Sequence, residues 1–191
     1  MYHWDLPQYL QDLGGWANPS ISDWFADYAR VLYSLYADRV KFWITINEPL
    51  VICDLGYDKQ FAPYLDDTKT GGYLCNKNVL IAHGKAYRIY DEEFRPKYNG
   101  KLSIANANAW FEPEKPEDTH ASKLMRQLYL YPEGLRKMLH WINNTYGVND
   151  IMITENGMPL LSRDLFDVTR LECIRDHLEQ ILLAINDGIH V

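Results

Sequence analysis

Two glutamates in this sequence each follow a short apolar run that is typical of a buried strand. Glu48 comes after Val40–Ile46 and Asn47, and Glu155 directly follows Ile151–Thr154. Two carboxyl groups that face each other are the pair that hydrolyses a glycosidic bond. One is protonated and gives its proton to the leaving oxygen, while the other is ionised and attacks or stabilises the anomeric carbon. A separation of about 5 to 5.5 Å between them would predict retention of stereochemistry.

A third polar cluster resembles another strand end. His3, Trp4 and Asp5 follow the first two residues and precede a Leu-Pro pair. In a parallel α/β barrel, the carboxyl ends of the strands form the active-site face. Taken singly, such a histidine is more often structural, such a tryptophan more often belongs to the core, and a lone glutamate after a strand is more often solvated. The convergence of these features on one face favours a site.

The elements that must position these residues alternate between helical and strand periodicity. Helices are predicted after Ser20 and Ser22, from about Leu80 to Phe94, near Glu117, from Pro132 to Gly147 and from about Leu171 to Gly188. Strands are predicted over Val40–Ile46, Lys101–Ala107 and Ile151–Thr154, with a long loop over Leu55–Tyr73 and the start of another strand after Gly188. The predicted apolar helix faces carry Trp24, Phe25, Tyr28, Val31, Leu32 and Leu35, then Leu80, Ile81, Ile89, Tyr90 and Phe94, then Leu135, Met138, Leu139 and Ile142, then Leu171, Ile174, Leu178, Ile181, Leu182 and Ile185.

This alternation predicts an α/β fold in which right-handed crossovers connect parallel strands. No low-complexity tract or linker divides the chain, so residues 1–191 are predicted to form a single domain. No glycine-rich phosphate loop follows a strand, which argues against a nucleotide-binding fold.

Charge and composition exclude several classes of function. The formal net charge is −7, which argues against nucleic-acid binding because that requires a basic face. No apolar run approaches the length of a membrane span, and the first residues lack the pattern of a signal peptide. Aromatic residues make up 14% of the chain, which fits either an aromatic core or a carbohydrate site in which rings stack on sugars.

The cysteines and one sequon leave the compartment open. Cys53, Cys75 and Cys173 are widely spaced, so they match no metal-ligand pattern, and their odd number predicts no disulfide framework. Asn143 begins an Asn-Asn-Thr sequon, which matters only in a secreted chain.

Three segments resemble the signature segments of glycoside hydrolase family 1, the β-glucosidases with myrosinases and lactase-phlorizin-type enzymes among them. They are YHWDLPQYLQDLGGW at 2–16, RVKFWITINEP at 39–49 and IMITENGM at 151–158. The stretches 78–90 and 170–191 resemble the family's helices after its fourth and seventh strands. The similarity thus extends over nearly the whole chain.

The resemblance implies a (β/α)8 barrel and a role for each matching residue. Glu48 matches the general acid/base and Glu155 the nucleophile. Asn47 matches the amide that binds the sugar 2-hydroxyl, and His3 a ligand of the sugar hydroxyls, with Trp4 beside it. No metal or organic cofactor is implied, because the mechanism uses carboxylates.

The chain departs from the family pattern in four places. Relative to the family it begins at the third strand, ends as the eighth begins, and has a short interval between Glu48 and Glu155. The join is predicted within 126–136, so the sixth strand has no clear counterpart, although 128–131 is compatible with a short strand. Ala107 stands where an asparagine is expected. A partial barrel of strands three, four, five and seven is therefore predicted.

Two functions are compatible with this pattern. The first is retaining hydrolysis of a small-molecule β-glycoside by Glu48 and Glu155. The second is a catalytically impaired or inactive remnant that at most binds sugar weakly or associates with a partner. Because an open parallel sheet exposes unpaired edges, self-association is also expected.

Overall fold

The computed structural model describes residues 1–57, 70–108, 132–148, 150–157 and 166–191. They form two compact units, Met1–Ala107 and Asn108–Val191. The predicted helix near Glu117 and the stretch 128–131 lie outside the described residues, as does most of the predicted loop Leu55–Tyr73. That residues 1–191 form one barrel domain stays a prediction.

Helices make up most of the first unit. They are α1 (Gln8–Asp12), α2 (Ile21–Tyr36), α3 (Gly71–Ile89) and α4 (Arg95–Tyr98), with a 3₁₀ turn at Gly15–Ala17 and π-helical turns at Val51–Leu55 and Tyr90–Phe94. Helix α2 begins directly after Ser20, but the predicted cap is not formed, because the Ser20 side chain makes no capping hydrogen bond. The Ser20 backbone carbonyl accepts hydrogen bonds from the amides of Asp23 and Trp24. Helix α3 begins at Gly71, so the predicted loop ends earlier than Tyr73.

The sheet of the first unit is parallel, as predicted. Strand β1 (Phe42–Asn47) pairs with strand β2 (Lys101–Ala105), and the register is irregular between Ile44 and Asn47. On its other side, β1 forms a parallel bridge between Ile46 and Tyr2. The position of β1 between β2 and the bridge to Tyr2 agrees with its apolar and β-branched sequence, which is buried or half-buried from Trp43 to Asn47 and exposed at Phe42.

An aromatic cluster forms the centre of the first core. The buried ring of Tyr33 contacts the rings of Trp43 and Tyr90 edge-on, each with a centroid distance of 5.0 Å. Edge-to-face arrangements are the favoured geometry for such pairs. The Tyr33 hydroxyl donates to the Ala86 carbonyl oxygen over 3.3 Å, so this core also ties α2 to α3.

The predicted apolar faces of two helices are partly wrong. Leu80 is 60% exposed and Ile81 is also exposed, whereas Val79, Ala82 and Ala86 on α3 are fully buried. On α2, likewise, Tyr28, Val31 and Leu35 are exposed, while Ala26 and Ala29 are buried. These small residues let the helix backbones approach the rest of the core closely. A search for periodic apolar residues gives alanine too little weight and therefore misplaces the buried side of the helix.

The second unit contains two long helices, α5 (Pro132–Tyr146) and α6 (Val168–Asn186). Helix α5 begins at the predicted Pro132, and Gly147 follows it at a φ of 61°. The buried cluster of the second unit consists of Leu139, Ala184 and Ile189, and it is packed against Leu135, Ile151 and Ile153. Much of the predicted apolar face of α6 is instead exposed, namely Leu171, Ile174, Leu178, Leu182 and Ile185.

The predicted strand Ile151–Thr154 is not formed as a strand in the described residues. In the described residues, the Ile151 amide donates a backbone hydrogen bond to the His190 carbonyl oxygen, at 3.0 Å. One such bond is too little for a ladder, which requires repeated pairing along both segments. Among the described residues, no helix is long and apolar enough to cross a membrane.

The cysteines correct a second prediction. Cys53, in the π-helical turn after β1, forms a disulfide with Cys75 in α3, with their Cα atoms 5.4 Å apart. Cys173 remains as a free, buried thiol. The odd count was a poor guide, because a leftover cysteine does not prevent the other two from pairing once the fold brings them together.

Candidate active site

Asn47 and Glu48 stand at the carboxyl end of the central strand. Asn47 is the last residue of β1 and is buried, and its amide donates to the Tyr2 carbonyl oxygen at 2.9 Å. Glu48 leaves the strand at a φ of 47°, a left-handed conformation that is uncommon for residues other than glycine. The Glu48 amide still donates to the Ala105 carbonyl oxygen of β2, at 2.8 Å. The kink turns the chain away from the strand and leaves the Glu48 side chain half-buried.

His3 and Trp4 lie against the same strand end. The Asn47 side-chain nitrogen is 3.3 Å from His3 Nε2, and the Trp4 indole donates to the Asn47 carbonyl oxygen at 3.3 Å. An amide nitrogen is a donor, so this contact requires His3 Nε2 to accept and the proton of a neutral ring to lie on Nδ1. Trp4 reaches its position through a φ of 73°. Three of the residues predicted for the site are therefore in mutual contact.

The segment after Glu48 is anchored to α3. Pro49 is buried, and the Ile52 amide donates to the Glu48 carbonyl oxygen at 3.2 Å. One residue later the Cys53–Cys75 disulfide joins the segment to α3. Backbone in a rare conformation persists when its surroundings determine it from several directions. These contacts supply that support to the residues that follow Glu48.

A buried tyrosine completes this anchoring. Burial raises the pKa of Tyr57 to about 12, so its hydroxyl stays neutral at physiological pH. That hydroxyl accepts a hydrogen bond from the Ala17 amide at 3.1 Å. The end of the anchored segment is thereby connected to the 3₁₀ turn that follows α1.

A histidine lies below the strand end. The Thr45 hydroxyl is 2.8 Å from His83 Nδ1 and donates to the Ser103 carbonyl oxygen at 3.3 Å. Which of the two groups donates in the first contact depends on which ring nitrogen of His83 carries the proton. Burial lowers the pKa of His83, which favours the neutral ring. His83 therefore connects α3 to β1, and the Thr45 hydroxyl extends this connection to β2.

Glu155 belongs to the second unit, where its carboxylate is exposed. The stretch 151–157 that carries it is attached through the Ile151–His190 bond and through the packing of Ile151 and Ile153 on the second core. Among the described residues, this stretch is held by fewer contacts than the residues around Glu48. The contact of Glu48 with Glu155 stays a prediction.

Sequence reasoning missed two features of this site, the left-handed Glu48 and the disulfide next to it. A signal for the disulfide was present, since one cysteine follows a strand-end turn and the other lies in the first turns of the next helix. No comparable signal marks the backbone of Glu48, which depends on pairing with Ala105.

Comparison with known proteins identifies the family of this chain. The model of glycosyl hydrolase family 1 matches residues 1–131 and 117–191, two stretches that together cover the whole chain. A match in two overlapping stretches agrees with the internal deletion predicted from the motifs.

Among similar proteins, two are named as myrosinases and one as a β-glucosidase. Myrosinase 1 of Brevicoryne brassicae is 58% identical over 118 residues, which is 61% of this chain and 25% of the relative. The structure of an aphid myrosinase superimposes with a TM-score of 0.87 at 31% identity, covering 98% of this chain and 62% of that one. The β-glucosidase of Thermotoga maritima in complex with castanospermine gives a TM-score of 0.86 at 27% identity, covering 99% of this chain and 61% of that one.

The chain thus spans a quarter of the length of Myrosinase 1 and less than two thirds of each solved structure. The neighbours are barrel enzymes, which confirms the predicted partial (β/α)8 barrel. The predicted family is confirmed as well: this chain belongs to glycosyl hydrolase family 1 and is β-glucosidase-like.

Proposed function

We propose that this chain carries the catalytic pair of a retaining β-glycosidase. Glu155, ionised, attacks the anomeric carbon and forms a covalent glycosyl ester while Glu48 protonates the leaving oxygen. Glu48 then takes a proton from water as that water cleaves the ester, which restores both carboxyl groups. Before the first step, Glu48 carries the proton that the leaving oxygen receives.

One observation supports this assignment most strongly. The central parallel strand ends in Asn47 and Glu48, and His3 contacts the Asn47 amide at that end. Polar side chains at the carboxyl end of barrel strands are where enzymes of this architecture bind substrate. The His3 ring and the buried Asn47 amide are suited to form hydrogen bonds with sugar hydroxyls, with the Trp4 ring beside them.

Hydrolysis of a chromogenic aryl β-glucoside tests the nucleophile. The Glu155→Gln variant is expected to lose hydrolysis down to the uncatalysed background, because an amide cannot form the glycosyl ester. The matched control is Glu172→Gln, an exposed glutamate on α6, which should hydrolyse at the wild-type rate. A Glu155→Gln variant as active as the wild type would contradict the proposed role.

Leaving-group dependence tests the acid separately. Glu48→Gln should slow substrates with basic leaving groups strongly and those with acidic phenols least, because a good leaving group needs little protonation. Glu92→Gln, exposed in the π-helical turn after α3, is the matched control. An equal loss across all leaving groups would remove Glu48 from the acid role.

A second candidate, a catalytically impaired remnant, is favoured by the weak anchoring of Glu155. A misplacement of about 1 Å can reduce a rate on the order of a hundredfold, and the described stretch 151–157 lacks a strand ladder. This candidate predicts equal background rates for the wild type and Glu155→Gln. The same assay therefore separates the two functions.

A further inference from the structure

The end of helix α5 displays a complete acceptor sequence for N-linked sugar. Asn143, Asn144 and Thr145 occupy the last turn of the helix, with Asn144 and Thr145 exposed and Asn143 partly exposed. The Asn143 side-chain nitrogen lies 3.5 Å from Asn144 Oδ1, the outer limit of a hydrogen bond. The acceptor amide is thus only weakly engaged.

The surface around the sequon suits an attached sugar. The Trp141 ring is 46% exposed and the Tyr146 ring 65% exposed, and the two rings meet edge-on with centroids 5.4 Å apart. Residues three apart on a helix are neighbours, which places Tyr146 beside Asn143. Exposed aromatic faces of this kind can be covered by the apolar face of a pyranose.

The disulfide indicates the compartment. Cys53 and Cys75 are both fully buried, and their bond joins two elements of the first core. Disulfides form and persist in oxidising environments, such as the lumen of the endoplasmic reticulum, and are rare in the cytosol. The same lumen is where asparagine sequons receive their glycans. A cysteine bond in one unit and a sequon in the other thus point independently to one compartment.

The position of the sequon is compatible with the rest of the second unit. Asn143 lies three residues after His140, whose Nε2 is 2.7 Å from Asp187 Oδ2. The buried cluster described for this unit, Leu139, Ala184 and Ile189, does not include any sequon residue. A glycan on Asn143 can therefore extend into solvent without displacing the described core.

We propose that Asn143 is an N-glycosylation site and that the chain is modified there in the compartment where Cys53 and Cys75 are oxidised. The donor is a lipid-linked oligosaccharyl diphosphate. The Asn143 side-chain nitrogen forms a bond to the anomeric carbon as the bond from that carbon to the diphosphate oxygen breaks. The nitrogen loses one proton, the lipid diphosphate leaves, and no atom changes its oxidation state.

Translation of the full chain, with a cleavable signal sequence, in the presence of microsomes tests the proposal. The protease-protected product should migrate with the shift of a single glycan, and peptide N-glycosidase in heavy-oxygen water should remove it and leave labelled aspartate at position 143. Asn143→Gln and Thr145→Ala should each lose the shift completely. Asn144→Gln, which leaves the sequon intact, should keep it.

Thiol tagging of the denatured lumenal product tests the compartment argument in the same sample. One tag, on Cys173, is expected without reductant and three with it, since Cys53 and Cys75 are paired. A protected chain that shows no glycan, or a glycan that persists in Asn143→Gln, would overturn the site. Three tags without reductant would overturn the link to an oxidising compartment. Because modification is read by mass, these outcomes do not depend on the activity or the stability of any variant.

Discussion

The described residues of the two units bury apolar side chains to different extents. In the described residues of the first unit, eighteen buried side chains form one continuous cluster. The cluster includes Ile46, which directly precedes Asn47 and Glu48. In those of the second, the buried cluster contains three side chains, and Leu171 on α6 is 65% exposed. Among the described residues, the proposed acid therefore lies beside the larger buried cluster and the proposed nucleophile beside the smaller one.

The largest expected effect concerns the aromatic centre of the first unit. Tyr33→Ala removes a fully buried ring with three aromatic neighbours and should lower the free energy of unfolding by about 3–5 kcal/mol. Urea unfolding followed by circular dichroism measures this. Tyr28→Ala, on the exposed side of the same helix, should change the midpoint little. A Tyr33→Ala effect as small as that of Tyr28→Ala would break the contrast between the units.

The disulfide should give the next largest effect. Replacing both Cys53 and Cys75 by serine opens a loop closed over a sequence separation of 22 and should cost about 3 kcal/mol. Reductant should lower the urea midpoint of the wild type towards that of the double variant and leave the double variant unchanged. Cys173→Ala in the second unit is the control and should retain the response to reductant. A wild type insensitive to reductant would show that the bond adds nothing to the first unit.

Close packing in the first unit should make the substitution of one glycine, Gly100, destabilising. A Cβ on Gly100 would collide with the hydroxyl of the buried Tyr90 and lie 3.1 Å from the Lys41 carbonyl oxygen. Gly100→Ala is expected to cost about 1–3 kcal/mol, because the stacked ring of Tyr90 cannot easily move. The matched variant in the second unit, Gly157→Ala, meets no atom within 4 Å and should be nearly neutral. Similar losses in both variants, measured by urea unfolding, would contradict the difference in packing.

Sequence periodicity located the elements better than it located their buried sides. Helix starts at Ser20 and Pro132 were predictable because caps and first-turn prolines are local signals. The buried sides of α2 and α3 were not, because Ala29 and Ala86 are less apolar than exposed neighbours such as Leu80. Which stripe packs inward depends on how closely a helix can approach the sheet, and that is a property of the tertiary structure.

The candidate site divides in the same way. His3, Trp4 and Asn47 were predictable as a group, since they stand at the ends of apolar runs that a parallel sheet aligns. The strand expected before Glu155 does not form in the described residues, because a ladder needs a partner with matching register and residue type alone does not supply one. The proposed pairing of Glu48 with Glu155 rests on family membership and on sequence position.

The smallest expected effect is on stability at acidic pH, where the two units should lose stability in different pH ranges. Burial lowers the pKa of His83 from its usual 6.5, so the unfolded chain binds more protons as the pH falls below about 6.5, and stability declines there. In the second unit, hydrogen bonds from His140 and Arg136 lower the pKa of Asp187 from 3.8. The stability that these bonds contribute is present above about pH 4 and is lost as the pH falls through the lowered value.

Two variants assign these windows by urea midpoints measured from pH 7 to pH 3. His83→Asn keeps a donor near the Thr45 hydroxyl but does not titrate, so it should flatten the decline that begins near pH 6.5 and leave the lower window unchanged. Asp187→Asn should do the reverse, because an amide has no charge for Arg136 to stabilise. The readout is a slope, so an overall loss of stability in either variant does not obscure it. If His83→Asn declined in parallel with the wild type, the upper window would belong to another group, and the buried histidine of the denser unit would contribute no acid sensitivity.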